Sequence, residues 1–213
     1  MLHAVITADI VSSSQLPRGK KVWFYDALEA YLKHLADQFR FRLEWYRGDS
    51  FQIRMDNAGA GLRLGLLIRT KIRSLYYTGK EDNNKELFDV RMALGIGEID
   101  FDRPQVASSD GAAFRLSGRG LDQLKPGKQL FTIATEDQFR NELRIESLLL
   151  DTLINGTTML QCEVINLKLH GFTEVEIADA LKIGQPAVNQ RSVAGNWQAI
   201  NEMTIYFEQL YKS

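Results

Sequence analysis

Asp9 closes the first apolar run of the chain, in Ala8-Asp9-Ile10-Val11, and Asp49 lies in Arg47-Gly48-Asp49-Ser50 between two later runs. If the strands that carry them are neighbours, both carboxylates come to one sheet edge. A pair of aspartates suits Mg²⁺ or Mn²⁺, which takes a few hard protein oxygens and fills its shell with water and triphosphate. Two such ions about 3.5 to 4 Å apart can activate a hydroxyl and stabilise a leaving phosphate. Behind Asp9, the backbone N–H groups of Ile10, Val11, Ser12 and Ser13 could cradle phosphate ahead of a helix. Each signal has a plain alternative. Gly48-Asp49 is a favoured hairpin turn without any chemistry, and serines cap helices.

A second group of residues follows in Asp110 to Arg119. Arg115 and Arg119 stand four apart, so on a helix they share one face and could clamp phosphate oxygens; the alternative is a solvated face. Gly95 and Gly97 fall inside an apolar run, where glycine weakens a strand unless a backbone or ligand comes close. They could floor a nucleotide pocket together with Gly48, or mark a bulge.

The elements that must position these residues follow from periodicity. Leu2 to Ile10 reads as a buried strand, and Arg18 to Phe39 repeats apolar residues every three or four positions, which is an amphipathic helix. Phe41, Leu43 and Trp45, then Phe51, Ile53 and Met55, alternate with polar residues across Gly48-Asp49, the pattern of a β-hairpin. A helix over 58–77, a loop over 79–86, a strand over 90–99, a helix over 110–124 and a strand over 129–134 complete the first part. The order β-α-β-β-α-β, with one more helix and strand, predicts an α+β chain opening with a ferredoxin-like palm over 1–134. A connecting helix spans 135–155, and an all-α unit spans 156–213.

That last unit carries a second candidate function. Thr173-Glu174-Val175-Glu176 is a capping box, and Ile183-Gly184-Gln185-Pro186 turns the chain into a new helix, the spacing of a helix-turn-helix. Gln185, Asn189, Gln190 and Arg191 would meet the major groove, since Gln and Asn can bond adenine in a bidentate way and Arg guanine. From Gly156 onward, however, four basic residues face six acidic ones, a net of −2, and phosphate neutralisation supplies much of DNA affinity. A helical dimerisation module without DNA contact is the alternative.

The bulk numbers exclude little else. With 213 residues, 45% hydrophobic and 25% charged, the chain has the make-up of a globular protein, and its formal charge of −1 gives no global pull toward nucleic acid. The single cysteine, Cys162, allows no internal disulfide and, with no signal-type or membrane-spanning apolar stretch, fits a cytoplasmic setting. His3 and His34 are isolated, His170 precedes the Gly171 that ends a helix, where a cationic histidine is a routine electrostatic fit, and none joins a Ser/His/Asp or thiol arrangement.

Four motifs in order, TADIVSS, RGDSFQIRM, RMALGIGEI and DGAAFRLSGRGL, resemble the SatD family over roughly residues 2–125, and more distantly class III nucleotidyl cyclases and GGDEF-type palms. TEVEIADALKIGQPAVNQR resembles the DNA-binding end of sigma factors. The cyclase resemblance implies that Asp9 and Asp49 hold two metal ions and that Arg119 stands at the transition-state arginine across a head-to-tail dimer. Arg115 replaces an asparagine there, Trp45 the purine-reading lysine and Ser108 its acidic partner. Together these readings give a dimeric regulator whose palm binds nucleotide with Mg²⁺ or Mn²⁺ and whose helix-turn-helix binds DNA. The alternatives are a two-metal nucleotidyl cyclase or nucleotidyltransferase, with Arg119 and Arg115 catalytic, and an inert palm serving as a dimerisation scaffold.

Overall fold

The structure is a computed structural model that describes residues 1–46, 48–78, 88–106 and 109–212. Its elements are β1 (His3–Ile10), α1 (Arg18–Phe39), β2 (Phe41–Tyr46), β3 (Ser50–Met55), α2 (Gly61–Ser74), β4 (Val90–Gly97), β5 (Ile99–Phe101), β6 (Asp110–Gly111), α3 (Ala112–Leu124), β7 (Phe131–Thr135), α4 (Arg140–Asn155), α5 (Met159–Leu169), α6 (Glu174–Leu181), α7 (Gln185–Ala194) and α8 (Trp197–Leu210). The main sheet has the order β2-β3-β1-β4-β7. β1 runs antiparallel to both β3 and β4, and β7 joins β4 in parallel. The first four strands thus have the ferredoxin-like order, and α3 and β7 extend it by one crossover unit.

Period-2 alternation sorts each strand between two faces. Ala4, Ile6, Ala8 and Ile10 of β1, Phe51 and Ile53 of β3, and Met92, Leu94 and Ile96 of β4 join Phe24, Leu28, Leu32 and Leu35 of α1 and the apolar side of α2 in the main core. On the opposite face Val5 packs against Ala113 and Phe114 of α3 and Val106. That second face bears the polar residues of the strands, so it is the face on which chemistry is possible.

Several boundaries differ from the periodicity, among them the strand read over 90–99, which ends at Gly97, and the helix read over 58–77, which ends at Ser74. Asn57 caps a short turn at Ala58–Ala60 by accepting from the Ala60 N–H, and α2 starts after it. Asp110 and Gly111 pair with Ile99–Phe101 as a small ribbon, which delays α3 to Ala112. Thr135 finishes β7, and α4 starts only at Arg140. The loop read over 79–86 lies outside the described residues.

Of the four C-terminal helices, α5 and α8 pack onto α2, and α6 and α7 pack against α5. Asn166 of α5 donates to Leu67 O at 2.8 Å and Thr70 Oγ1 at 2.9 Å, and Arg63 of α2 pairs with Glu208 of α8 at 2.6 Å. Beneath them lies a buried polar cluster. Arg69 donates to Asp89 at 3.0 Å, Asp151 at 2.5 Å and Asn155 at 2.6 Å, while Arg73 pairs with Asp89 and donates to Thr157 O at 2.9 Å. Two guanidinium groups against two carboxylates make the cluster neutral, which is how charge is tolerated at such burial. Among the described residues no helix is long and apolar enough to cross a membrane.

Candidate functional site

Asp9 and Asp49 meet because β1 pairs with β3: Asp9 stands opposite Ser50, and the Ile10 N–H donates to Asp49 O at 3.0 Å. Gly48 holds the hairpin tip at φ +80, where a side chain would be strained. Asp49 Oδ2 accepts from the buried Ser13 hydroxyl at 2.8 Å, and its Oδ1 from Ser50 at 3.3 Å. Both oxygens of Asp9 accept from one nitrogen of Arg91, at 3.1 and 3.2 Å. Burial pushes the Asp9 carboxyl above its usual value; Arg91 and Lys125 oppose that shift and the Asp49 charge adds to it. Burial also raises the Tyr25 phenol, with the Asp49 charge adding to the shift and the Ser13 hydroxyl opposing it.

The loop behind Asp9 is partly spent. Ile10 N–H goes to Asp49 O and Val11 N–H to Asp89 O, both at 3.0 Å, so neither is free for a phosphate. This corrects the cradle read from sequence and leaves it to Ser12 and Ser13. Ser12 adopts a left-handed conformation, φ 55, and opens the single turn Ser13–Gln15.

On the same face a row of hydrogen bonds crosses the sheet from β2 to α3. Tyr46 donates to Gln52 at 2.9 Å, Gln52 to Thr7 at 2.9 Å, Thr7 to Ser117 at 2.8 Å, and Ser117 to Phe114 O at 3.1 Å. Thr7 is two residues before Asp9, so this row is the floor beside the acidic pair. It was not among the residues singled out from sequence, although Tyr46, Gln52 and Thr7 occupy the polar positions of their alternating strands. Arg91 was missed too. Its signal was a lone charge in the otherwise apolar run from Val90 to Ile96.

Other candidates lie elsewhere. A Cβ on Gly95 would sit 2.3 Å from Ala113 O and 2.6 Å from Ser117 N, and one on Gly97 would sit 2.9 Å from Ala113 N. The two glycines therefore admit α3 to the sheet instead of flooring a pocket, a correction whose reason is close backbone approach. Arg115 and Arg119 share the outer, exposed side of α3, away from the sheet that α3 covers. Arg115 pairs with Asp110 at 3.1 Å and Asp100 at 3.5 Å. A single chain thus does not bring these arginines to the acidic pair. Trp45 packs against Phe51 and Tyr25 in the main core, whereas Arg47 and Ser108 lie outside the described residues.

Among the described residues no group of three or more His, Cys, Asp or Glu stands ready for a metal. Asp9, Asp49 and the Ser13 hydroxyl nevertheless form a hard-oxygen set of the size Mg²⁺ accepts. Arg91 occupies both Asp9 oxygens, so a metal there requires the guanidinium to turn aside.

In the C-terminal helices the capping box and the turn after it are formed. Thr173 and Glu176 form the reciprocal capping box, and Lys182 in a left-handed conformation turns the chain toward α7. Val164, Ile177, Ala178 and Val188 fill the space between α5, α6 and α7. Gln185, Asn189 and Gln190 are exposed on α7, while Arg191 leans on Glu163 of α5 at 3.7 Å.

No protein-family model matches the chain, and no curated protein matches it. Similar solved structures include a bacterial light-regulated adenylyl cyclase, at 12% identity and TM-score 0.45 over 62% of this chain and 75% of that one. Another is the adenylyl cyclase CyaB from P. aeruginosa, at 13% identity and TM-score 0.43 over 57% and 71%. A third is the active GGEEF domain of a diguanylate cyclase from Vibrio cholerae, at 15% identity and TM-score 0.41 over 65% and 85%. Likeness at this level carries no functional argument, which rests on the residues above.

Proposed function

We propose that the palm binds a nucleoside triphosphate with Mg²⁺ or Mn²⁺ between Asp9 and Asp49, and that α6 and α7 form a DNA-binding helix-turn-helix, making the chain a SatD-like transcriptional regulator. The observation that carries the nucleotide reading is the register of β1 on β3, which sets the two carboxylates at one sheet edge beside Ser13. Asp9 and Asp49 would hold the metal, Ser12 and Ser13 would offer donors to phosphate, and the metal would neutralise the triphosphate. The exposed Gln185, Asn189 and Gln190 on α7 support the DNA reading.

A second reading, a nucleotidyl cyclase or nucleotidyltransferase, draws on the same acidic pair. The placement of Arg115 and Arg119 on the outer side of α3 favours binding over turnover by one chain. Calorimetric titration with a panel of nucleoside triphosphates, with Mg²⁺ or Mn²⁺, tests both readings beside Asp9→Asn. Chromatography of the nucleotides afterwards and DNA binding with and without nucleotide complete the experiment. Metal-dependent binding lost in Asp9→Asn and unchanged nucleotide support the regulator; a new cyclic or oligomeric product supports the enzyme. No binding by any nucleotide refutes both.

A further inference from the structure

β2 stands at one edge of the main sheet, with β3 on one side of it and no strand on the other. The Ile10 N–H bonds Asp49 O, one step beyond the Asp9–Ser50 pair, so the odd-numbered residues of β3 turn their backbone groups to β1 and the even-numbered ones to β2. Arg42, Glu44 and Tyr46 stand opposite those even-numbered residues and bond them. The N–H and C=O groups of Phe41, Leu43 and Trp45 therefore point away from the sheet, and among the described residues no backbone group bonds them. β2 runs six residues without a bulge, a proline or a lysine, the usual guards of an open edge.

The core face is open at this edge as well. Leu43 and Trp45 are half-buried and line a groove of about 580 Å³ against α1, bordered by Asp26, Glu29 and Lys33. These three charges are exposed, and among the described residues none of them enters an ion pair.

The residues of β2 fit a second copy of the same strand. Side chains directly opposite in an antiparallel pair share a face, so a two-fold axis relating two β2 strands passes through one residue. An axis at Leu43 sets Leu43 against Leu43, Phe41 against Trp45, and Arg42 against Glu44 on the other face, an opposite-charge pair. An axis at Arg42 or at Glu44 would set like charges against each other. Arg42 also reaches Asp102 and Arg103 O, and a guanidinium has donors for all three partners.

The unpaired charges of α1 agree with the axis at Leu43. Tyr25 packs on Trp45, and α1 runs opposite to β2. From Trp45 back to Leu43 the strand spans about 6.6 Å, the rise of about four to five helical residues. The axis thus meets α1 near Glu29 and Ala30, and the second α1, antiparallel to the first, brings its Lys33 to the level of Asp26.

We infer that β2 is the seam of a homodimer, in which two copies pair this strand antiparallel about Leu43 and join their five-stranded sheets into one. The seam is independent of whether the palm binds nucleotide.

Light scattering across a concentration series of the full chain tests the inference. A dimer is expected, with a dissociation constant about tenfold larger in Lys33→Glu and in Asp26→Lys, since each cross-copy pair occurs twice. The double variant Asp26→Lys/Lys33→Glu should restore the parent value. Both positions are exposed, so the variants keep the fold, which circular dichroism checks. Leu43→Pro removes an N–H that β3 does not use and should leave a folded monomer. Amide exchange followed by NMR reads the backbone pairing directly: the Leu43 and Trp45 amides should slow as the protein concentration rises through the dissociation constant. A chain that stays monomeric, its edge left to solvent or to an extended peptide, overturns the inference. So does a dimer indifferent to the charge reversals and to Leu43→Pro, or one whose Leu43 and Trp45 amides exchange alike at every concentration.

Discussion

Replacing Gly95 by alanine adds one methyl group where α3 crosses β4. The new Cβ would lie 2.3 Å from Ala113 O and 2.6 Å from Ser117 N, both backbone atoms that no rotamer change can move. Ordinary contact begins near 3.4 Å, so α3 must retreat by about 1 Å. A gap of that size forfeits about a quarter to a half of the dispersion energy of the contacts it opens. The affected side chains include Ala113, Phe114, Ser117, Leu121 and Leu124, all buried. Overpacking costs typically about 1–3 kcal/mol, and a contact against backbone belongs at the upper end, near 3 kcal/mol. For a chain of this size that lowers Tm by about 6–12 °C. Gly118, on the same helix, is the control: nothing lies within 4 Å of its Cβ position, so Gly118→Ala should stabilise by about 1 kcal/mol through helix propensity and a less flexible unfolded chain. Urea unfolding followed by tryptophan fluorescence reads both variants, provided the slope m is unchanged. A Gly95→Ala midpoint within about 0.5 kcal/mol of the parent, or two variants that shift alike, would refute the close-approach account of Gly95.

Asp89→Asn leaves Arg69 and Arg73 buried with a weakened partner, and breaking one side of a buried pair costs about 3–5 kcal/mol; denaturant unfolding should show it, and a loss under 1 kcal/mol would contradict the cluster's role. Thr173→Ala removes the cap that accepts from the Glu176 N–H and should cost about 1 kcal/mol, read as a lower Tm. His170, which bonds Tyr31 at 3.0 Å, has its pKa lowered by burial, then by His34 and Lys71. Its folded value is therefore below 6.5, the unfolded chain takes the proton first, and stability falls as pH drops through 6.5. His3 shifts the same way, again by burial first, so His170→Gln should flatten that slope in unfolding measured from pH 7 to 5 without abolishing it. Asp9 carries the opposite sense for a carboxyl: its raised pKa means the folded state holds the proton longer, so stability is lost as pH rises through the window above 3.8. Asp9→Asn should remove that dependence, read from the same unfolding series.

The strands, the long first helix and the hairpin were legible because each carries a local signal that tertiary packing did not override. Alternation across Phe41 to Met55 and the three-to-four spacing of Phe24, Leu28, Leu32 and Leu35 each bury one face whatever the neighbours are. The capping box at Thr173 is equally local. Where a partner outside the element decided the outcome, sequence periodicity misled: Asp110 and Gly111 pair with Ile99–Phe101 instead of joining α3. At α2 the periodicity passed over a local signal, the Asn57 side chain that caps Ala58–Ala60 and delays the helix.

For the site, the sequence by itself determined the residue types that could do chemistry, Asp9 at a strand end and Asp49 at a glycine turn, together with their distance along the chain. Only the tertiary structure decided their surroundings. Pairing of β1 with β3 and β4 sets Ser50 and Arg91 beside Asp9, and the loop's return brings Ser13 to Asp49. Backbone pairing also consumes the Ile10 and Val11 donors and buries Gly95 under α3. The reason is physical: a residue's type fixes which bonds it can make, but cross-strand register and helix approach are set by contacts far apart in sequence, and those decide which bonds are left to make.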